Sequence, residues 1–120
     1  MVRSFRDLKV WQNSMELVKE VYRLTGAFPK EEQYGLSAQI RRAAVSIPSN
    51  IAEGQARNTT GEFIQFLSHA VGSVSELDTQ LILSVELGYC SQARTETARN
   101  LILELRKMLT ALRRKLSGRR

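Results

Sequence analysis

The stretch Arg41-Arg42-Ala43-Ala44-Val45-Ser46-Ile47-Pro48-Ser49-Asn50-Ile51-Ala52-Glu53-Gly54 decides the fold of this chain. Small and apolar residues recur in it and just before it at helical spacing, so that one stripe contains Leu36, Ile40, Ala43 or Ala44, Ile47 and Ile51. A proline inside a helix removes one backbone donor and presses on the preceding turn, at a cost of about 3 kcal/mol or more. We therefore predict a helix over about 36–57 that is kinked near Pro48.

A second helix is indicated upstream, where apolar residues recur at alternating spacings of three and four. These residues are Leu8, Trp11, Met15, Val18, Tyr22 and Thr25. The pattern predicts a helix over about 8–27 whose buried seam contains them. Phe28-Pro29 cannot continue this helix, because the residue before a proline disfavours helical geometry.

Two more helices follow downstream. Thr59 and Glu62 have the capping-box spacing and predict a helix over about 60–88 that Gly88 ends. Its seam consists of Phe63, Leu67, Ala70, Val74, Leu77, Leu81 and Val85. Ser91 can cap a fourth helix over about 91–116. The stripe of that helix consists of Leu101 or Ile102, Leu105, Leu109, Leu112 and Leu116.

These segments predict an all-α fold, because no part of the chain shows sustained period-two alternation. The 120 residues suffice for one domain, so residues 1–120 are interpreted as a single unit. Short connections favour antiparallel neighbours. The expected architecture is an up-down-up-down four-helix bundle.

Composition argues against several classes of protein. The start of the chain has no apolar core of a signal peptide, and no stretch approaches the roughly 18 apolar residues of a membrane span. A single cysteine, Cys90, cannot form an intramolecular disulfide, and we interpret it as a small, partly buried residue rather than a nucleophile. We expect a cytoplasmic protein that does not act at a membrane.

Catalytic and metal-binding patterns are missing from the sequence. His69 is the only histidine, so a multi-histidine metal site is excluded, and no Glu-x-x-His pair of a di-iron bundle occurs. There is no glycine-rich phosphate loop and no zinc-ligand spacing. We expect a non-enzymatic protein without cofactor or metal, although an enzyme with an active site between subunits stays open.

Charge is distributed unevenly along the chain, which carries a net +6. Residues 61–90 contain four acids and no base, whereas residues 91–120 contain nine bases and two acids. From Leu105 onward every charged residue is a base, and such a cluster attracts polyanions. The candidate nucleic-acid contacts are Arg106, Lys107, Arg113, Arg114, Lys115, Arg119 and Arg120. A solvated helix face with a cationic end is the alternative interpretation.

A second group of polar residues lies on or beside apolar stretches of the two central helices. Its members are Arg41, Arg42, Asn50, Glu53, Gly72, Glu76 and Gln80. Asn50 and Glu53 have the spacing of a cap that restarts a helix after Pro48, and Glu53 can pair with Arg57. We favour a structural or interfacial network over a ligand pocket, because a buried carboxylate must be paired.

Apolar residues outside the seams suggest that a bundle closed on itself would leave apolar surface in water. They are Phe66, Val71, Ile82, Leu83 and Leu103. Exposed surface of this kind often marks an interface. Gly72 and the Ala43-Ala44 pair also permit close helix approach, either within the subunit or between subunits.

Several motifs together resemble one protein family. They are Phe5-Arg6-Asp7-Leu8-x-Val10-Trp11, Tyr34-Gly35-Leu36-Ser37-x-Gln39-Ile40-Arg41-Arg42-Ala43-Ala44, Ser46-Ile47-Pro48-Ser49-Asn50-Ile51-Ala52-Glu53-Gly54, Phe63-x-x-Phe66-Leu67-x-x-Ala70-x-Gly72-Ser73-x-x-Glu76-Leu77 with Gln80-Leu81, and Leu87-Gly88-Tyr89. The chain resembles the four-helix proteins encoded in intervening sequences of 23S ribosomal RNA genes, over roughly Phe5 to Arg113. The activity of that family is poorly defined.

The resemblance implies a homopentamer with a central channel, and it implies that the Arg41-Arg42 and Glu53-Glu76 group lies near subunit contacts. The family is also similar to the accessory protein of diversity-generating retroelements, a basic pentamer that works with a reverse transcriptase and binds nucleic acid. This chain departs from the pattern at Ser49, where alanine is common, and in its basic end.

Besides the enzyme alternative, two functions remain open at this point. The leading hypothesis is a homo-oligomer that binds RNA or DNA through basic surfaces. We expect this oligomer to be a pentamer. The alternative is a scaffold or accessory protein that binds another protein, such as a reverse transcriptase, with no direct role for nucleic acid.

Overall fold

The computed structural model describes residues 4–118 and contains four long helices. They are α1 (Lys9–Thr25), α2 (Leu36–Gln55), α3 (Thr60–Glu86) and α4 (Glu96–Ser117). A 3₁₀ turn precedes α1, α2 and α4, at Phe5–Asp7, Lys30–Glu32 and Ala93–Thr95 respectively. No strand occurs among residues 4–118, which confirms the all-α class.

The four helices form the up-down bundle that the short connections predict. Each helix packs against the next in sequence, and α4 returns to pack against α1. The most extensive contact lies between α2 and α3. The described chain measures 47 × 23 × 19 Å, so the helices lie along one long axis and each end of the bundle contains two helix starts and two helix ends.

The α2 helix includes Pro48 within its length. Polar side chains around the proline bind carbonyl oxygens of the preceding turn: the Ser49 hydroxyl donates to Val45 O at 2.9 Å, and Asn50 Nδ2 donates to Ser46 O at 2.8 Å. The predicted cap at Asn50 was therefore wrong, since the helix is not restarted there. The kink at Pro48 stays a prediction.

The buried seam of α1 differs from the predicted one. It consists of Val10, Ser14, Leu17, Val21, Leu24 and Thr25. Four predicted members, from Leu8 to Val18, are only half-buried, and Tyr22 is 45% exposed. Thr25 is buried as predicted, but the rest of the seam is shifted by one residue, about 100°. Ser14 can be buried in it because its hydroxyl donates to Trp11 O at 2.7 Å.

The seams of the other helices largely match the prediction. On α2, Ile40, Ala43, Ala44, Ile47 and Ile51 are all buried, while Leu36 at its first position is half-buried. On α3 the predicted seam is buried from Leu67 to Leu81, while Phe63 and Val85 at its two ends are half-buried. On α4, Ile102 rather than Leu101 is buried, and Leu112 is half-buried.

Helix ends follow local hydrogen bonding. The Thr59 cap of α3 is confirmed, since Thr59 Oγ1 accepts from Glu62 N at 3.1 Å. Gly88 adopts φ +81°, and the N–H groups of Gly88 and Tyr89 donate to Val85 O and Ser84 O at 3.0 and 2.9 Å. This is a Schellman ending, for which glycine suits the left-handed position.

The predicted start of α4 at Ser91 was wrong by five residues. The Ser91 hydroxyl accepts from Arg94 N at 3.3 Å and caps the 3₁₀ turn instead. This turn buries Thr95, which is 0% exposed. The Thr95 hydroxyl donates to Gln92 O at 2.7 Å. Regular α-helix begins only after it, at Glu96.

Candidate nucleic-acid interface

The first half of α4 and its second half differ in how their bases are paired. Asp78 of α3 lies 3.5 Å from Arg99 Nε and 3.9 Å from Arg106 Nη2, so one carboxylate holds two arginines of α4. Asp78 is 22% exposed, which screens these pairs less than pairs fully in water. Arg106, a candidate nucleic-acid contact, is thus already engaged by an acid.

The second half of α4 has no such acidic partner. Within residues 4–118, Lys107, Arg113, Arg114 and Lys115 form no ion pair within 4 Å. Lys107, Arg114 and Lys115 are exposed. Arg113 is half-buried, and its buried Nε has no hydrogen-bond partner. Arg119 and Arg120 lie outside the described residues.

A shallow groove runs along the outer surface of this half of α4. The bases Arg106, Lys107 and Arg114 border it, and its remaining wall is made by Leu103, Thr110 and Ala111. Leu103 is 53% exposed. The groove therefore combines cations with small and apolar side chains, which suits the phosphate and sugar of a nucleic-acid strand.

The predicted polar group does not form one network. Arg42 and Glu76 line a groove between α2 and α3, where the Ser46 and Ser73 hydroxyls lie 2.5 Å apart. One turn after Glu76 on α3, Gln80 Nε2 donates to Glu76 Oε2 at 3.4 Å, while the buried Gln80 Oε1 has no hydrogen-bond partner within residues 4–118. Arg42 and Glu76 form no ion pair within 4 Å among the described residues.

Arg41 lies apart from this groove, against α1. Its Nε donates to Thr25 Oγ1 at 2.8 Å, and its guanidinium sits 4.4 Å above the ring of Tyr22. Consecutive arginines of a helix point about 100° apart, so Arg41 and Arg42 cannot serve the same groove. Asn50 and Glu53 are also separate: Asn50 binds the α2 backbone, and Glu53 pairs with Arg57 at 2.8 Å, as predicted.

Gly72 is exposed, and a Cβ there would meet nothing within 4 Å. It therefore does not mediate close packing inside the subunit. The close approach of α2 and α3 occurs at Gly54, where a Cβ would lie 2.6 Å from Phe66 Cβ and 3.0 Å from Phe63 Cδ1. Gly54 belongs to the opening motif, but its packing role escaped the sequence because it depends on which helix crosses there.

Comparison with known proteins adds the identity of the fold. A family model described as 23S rRNA-intervening sequence protein matches residues 6–111. The chain belongs to this family. A crystal structure of a protein with unknown function from the S23 ribosomal protein family of Bacteroides thetaiotaomicron VPI-5482 is similar, with a TM-score of 0.79 and 25% sequence identity. The match covers 86% of this chain and 96% of that one. No curated protein matches.

Membership in the 23S rRNA-intervening sequence family confirms the resemblance found in the sequence. The similar structure has no assigned function, so this kinship supports the fold and leaves the activity open. Among residues 4–118, no helix is long and apolar enough to cross a membrane, and no three His, Cys, Asp or Glu side chains cluster as a metal site would require.

The reactive side chains of this family member sit in structural settings. Burial raises the pKa of the Cys90 thiol, an effect that the nearby Arg94 charge only partly opposes. The phenol of Tyr89 donates to Glu32 Oε2 at 3.0 Å, and this hydrogen bond raises the pKa of Tyr89. Neither shift favours a nucleophile at neutral pH, because both hold the proton on the group.

Proposed function

We propose that this protein is a non-enzymatic, cytoplasmic homo-oligomer that binds RNA or DNA through the second half of α4. The observation that carries the proposal is the exposed, unpaired set Lys107, Arg114 and Lys115. Cations that have no protein carboxylate nearby are free to exchange their counterions for phosphates. Release of counterions is what drives backbone binding.

The distribution of acids supports this surface over others. Asp78 of α3 pairs with Arg99 and Arg106 of α4, whereas the sequence contains no acid after Glu104. Elsewhere, exposed bases such as Lys19, Arg23 and Arg57 are each paired with a glutamate one helical turn away. Such pairs compete with a polyanion for the cation, so these three bases are less available to phosphates than Lys107, Arg114 and Lys115.

Binding of this type would be directed mainly at phosphates. The groove contains no aromatic ring on which a base could stack. Affinity should therefore depend steeply on salt and only weakly on base sequence.

We also propose that the oligomer is a pentamer, as kinship with the family implies. Exposed apolar side chains of α3 support self-association: Leu83 is 41% exposed and Ile82 40%. The open surface at Gly72 gives a second subunit room to approach α3 closely. A pentamer would present five basic surfaces, and multivalent contact would raise the affinity for a long strand.

The test is a fluorescence-anisotropy titration of a single-stranded RNA over a range of salt concentrations. The variant K107Q/R114Q/K115Q should bind weakly, with the slope of log affinity against log salt reduced by about 2, since each phosphate contact contributes about 0.7. The control K9Q/K19Q/R94Q removes the same charge from other exposed positions. If both variants lose affinity equally, net charge and not the α4 surface explains the binding.

A second candidate is a scaffold that binds another protein, such as a reverse transcriptase. It is favoured by an apolar groove between α1 and α2, lined by Trp11, Met15 and Val18 on one side and by Val45, Pro48 and Ala52 on the other. Substitution V45E should abolish capture of such a partner while leaving RNA anisotropy unchanged. Loss of RNA binding in this variant would instead argue against separate surfaces.

A further inference from the structure

We infer that a small pocket between the end of α1 and the start of α2 binds a phosphate group. The pocket measures about 200 Å³, below the roughly 300 Å³ at which drug-sized ligand sites begin. Its polar lining comes from Thr25, Lys30, Gln33, Ser37 and Arg41. The Thr25 hydroxyl already donates to Val21 O at 2.8 Å, so the other four side chains are the available donors. A single small oxyanion suits both this volume and these donors.

The charge of the lining matches a phosphate. Lys30 and Arg41 line the pocket, no carboxylate does, and neither base has an ion pair within 4 Å among residues 4–118. Two positive charges complement a phosphate monoester, which carries about −1.5 to −2 at neutral pH. The nearby Glu32 is engaged elsewhere, since its two oxygens accept from Leu36 N at 2.9 Å and Tyr89 Oη at 3.0 Å.

Arg41 is fixed in place but has donors to spare. Its Nε and Nη2 donate to Thr25 Oγ1 and Tyr22 O, at 2.8 and 3.4 Å, and the Tyr22 ring supports the guanidinium plane. These bonds use two of its five N–H groups, so three remain for a ligand. A pre-positioned guanidinium binds an oxyanion with little loss of side-chain entropy.

Ser37 supplies a hydroxyl donor that no other protein group uses. The residue is 5% exposed and lines the pocket, yet its hydroxyl makes no hydrogen bond within the described chain. Among residues 4–118 the fully buried side-chain polar atoms without a partner are Gln80 Oε1 and Arg113 Nε, so the Ser37 hydroxyl opens onto the pocket and is free to donate to a ligand there. Ser37 also lies in the first turn of α2, a 20-residue helix whose N-terminus favours negative charge.

This pocket is separate from the basic surface of α4. The end of α1 and the start of α2 meet at one end of the antiparallel bundle, whereas Lys107 to Lys115 follow α4 toward the other end. The two sites can therefore be tested with different variants.

The test is an NMR titration of the ¹⁵N-labelled full chain with inorganic phosphate at constant ionic strength. Saturable shifts are expected at the amides of Ser37 and Arg41. S37A and K30Q should each weaken phosphate binding about tenfold, because each removes a hydrogen bond to a charged ligand. S37A breaks no hydrogen bond of the protein, so its fold should be unchanged.

Matched controls are S49A and K19Q. The Ser49 hydroxyl is on α2 but binds Val45 O, and Lys19 is exposed and paired with Glu16. Both should bind phosphate like the parent protein. The inference is overturned if no amide of the pocket shifts saturably, or if S37A and K30Q bind phosphate as tightly as the two controls.

The source of the phosphate group can be separated in the same assay. A 5′-phosphorylated RNA oligonucleotide is compared with its 5′-hydroxyl counterpart. If only the phosphorylated oligonucleotide shifts the amides of Ser37 and Arg41, and K30Q weakens this shift, the ligand is the end of a nucleic acid. If the two oligonucleotides act alike while inorganic phosphate binds, the ligand is a small phosphorylated molecule.

Discussion

Replacement of Gly54 by alanine should destabilise the protein, although alanine is the better helix former. Gly54 is buried where α2 crosses α3. An added Cβ would lie 2.6 Å from Phe66 Cβ and 3.0 Å from Phe63 Cδ1. Carbon atoms pack best at about 3.5–4.0 Å, so the two helices would have to separate by about 1 Å at this point. A Cβ is tied to its backbone, and no rotamer change of Phe66 removes the clash.

The magnitude follows from two opposing terms. Overpacking of a dense core costs about 1–3 kcal/mol, and this contact favours the upper part of that range. Replacing glycine by alanine inside a helix returns about 1 kcal/mol. We expect G54A to lower the free energy of unfolding by about 1–2 kcal/mol.

Gly72 offers a matched control on α3. A Cβ there meets nothing within 4 Å, so G72A should raise the free energy of unfolding by about 0.5–1 kcal/mol. Both variants are measured by urea unfolding at two protein concentrations, because association would make stability concentration-dependent. A G54A protein as stable as the parent would refute the packing argument. If G72A lowers the oligomer mass in light scattering, Gly72 lies at a subunit contact.

Three further predictions each concern a single residue. T59A should lower the free energy of unfolding by about 1 kcal/mol in urea melts, because the α3 N-terminus loses its cap, whereas T79A, on the exposed middle of α3, should change it less. Cys90 should react with iodoacetamide at pH 8 more slowly than free cysteine, since burial raises its pKa and leaves less thiolate; equal rates in mass spectra would contradict this. Tyr89 keeps its proton in the folded state because its pKa is raised by the Glu32 hydrogen bond, so this contribution to stability is present below about pH 10 and is lost as the pH rises through the folded-state pKa. Y89F should therefore flatten the alkaline fall in stability, and an unchanged fall would assign it to other groups.

The four helices could be predicted because hydrophobic periodicity and end signals agree on them. Thr59 and Gly88 supply specific hydrogen-bonding geometry at the two ends of α3, and both act as predicted. The seam of α1 could not be placed correctly, because this helix has an apolar face wider than one stripe. Trp11 and Met15 outweigh Ser14 in any hydrophobic pattern, yet the serine is buried since it satisfies its hydroxyl within the helix.

The candidate site was predictable only as a list of residue types. Charge counting found the basic end of the chain, but it could not show that Asp78 holds Arg106 or that Arg113 is half-buried. The residues predicted to group around Arg41 and Arg42 lie apart in the structure, because consecutive residues of a helix point in different directions and contact different partners. Ser37 escaped notice because a missing hydrogen bond has no signature in a sequence.

The α3 helix contains acids but no Lys or Arg, and its Asp78 determines which bases of α4 remain available to a polyanion. Arg99 and Arg106 are seven residues apart and lie on the same side of α4. Asp78 contacts both, so a single carboxylate compensates the positive charge over two helical turns. Beyond Arg106 no acid of α4 follows, and the bases there remain uncompensated. The charge asymmetry therefore runs along the axis of the bundle. Substitution D78N would release both arginines and extend the uncompensated surface, so it should steepen the salt dependence of RNA binding if α4 is the binding element. An unchanged salt slope in D78N would place the binding away from Arg99 and Arg106.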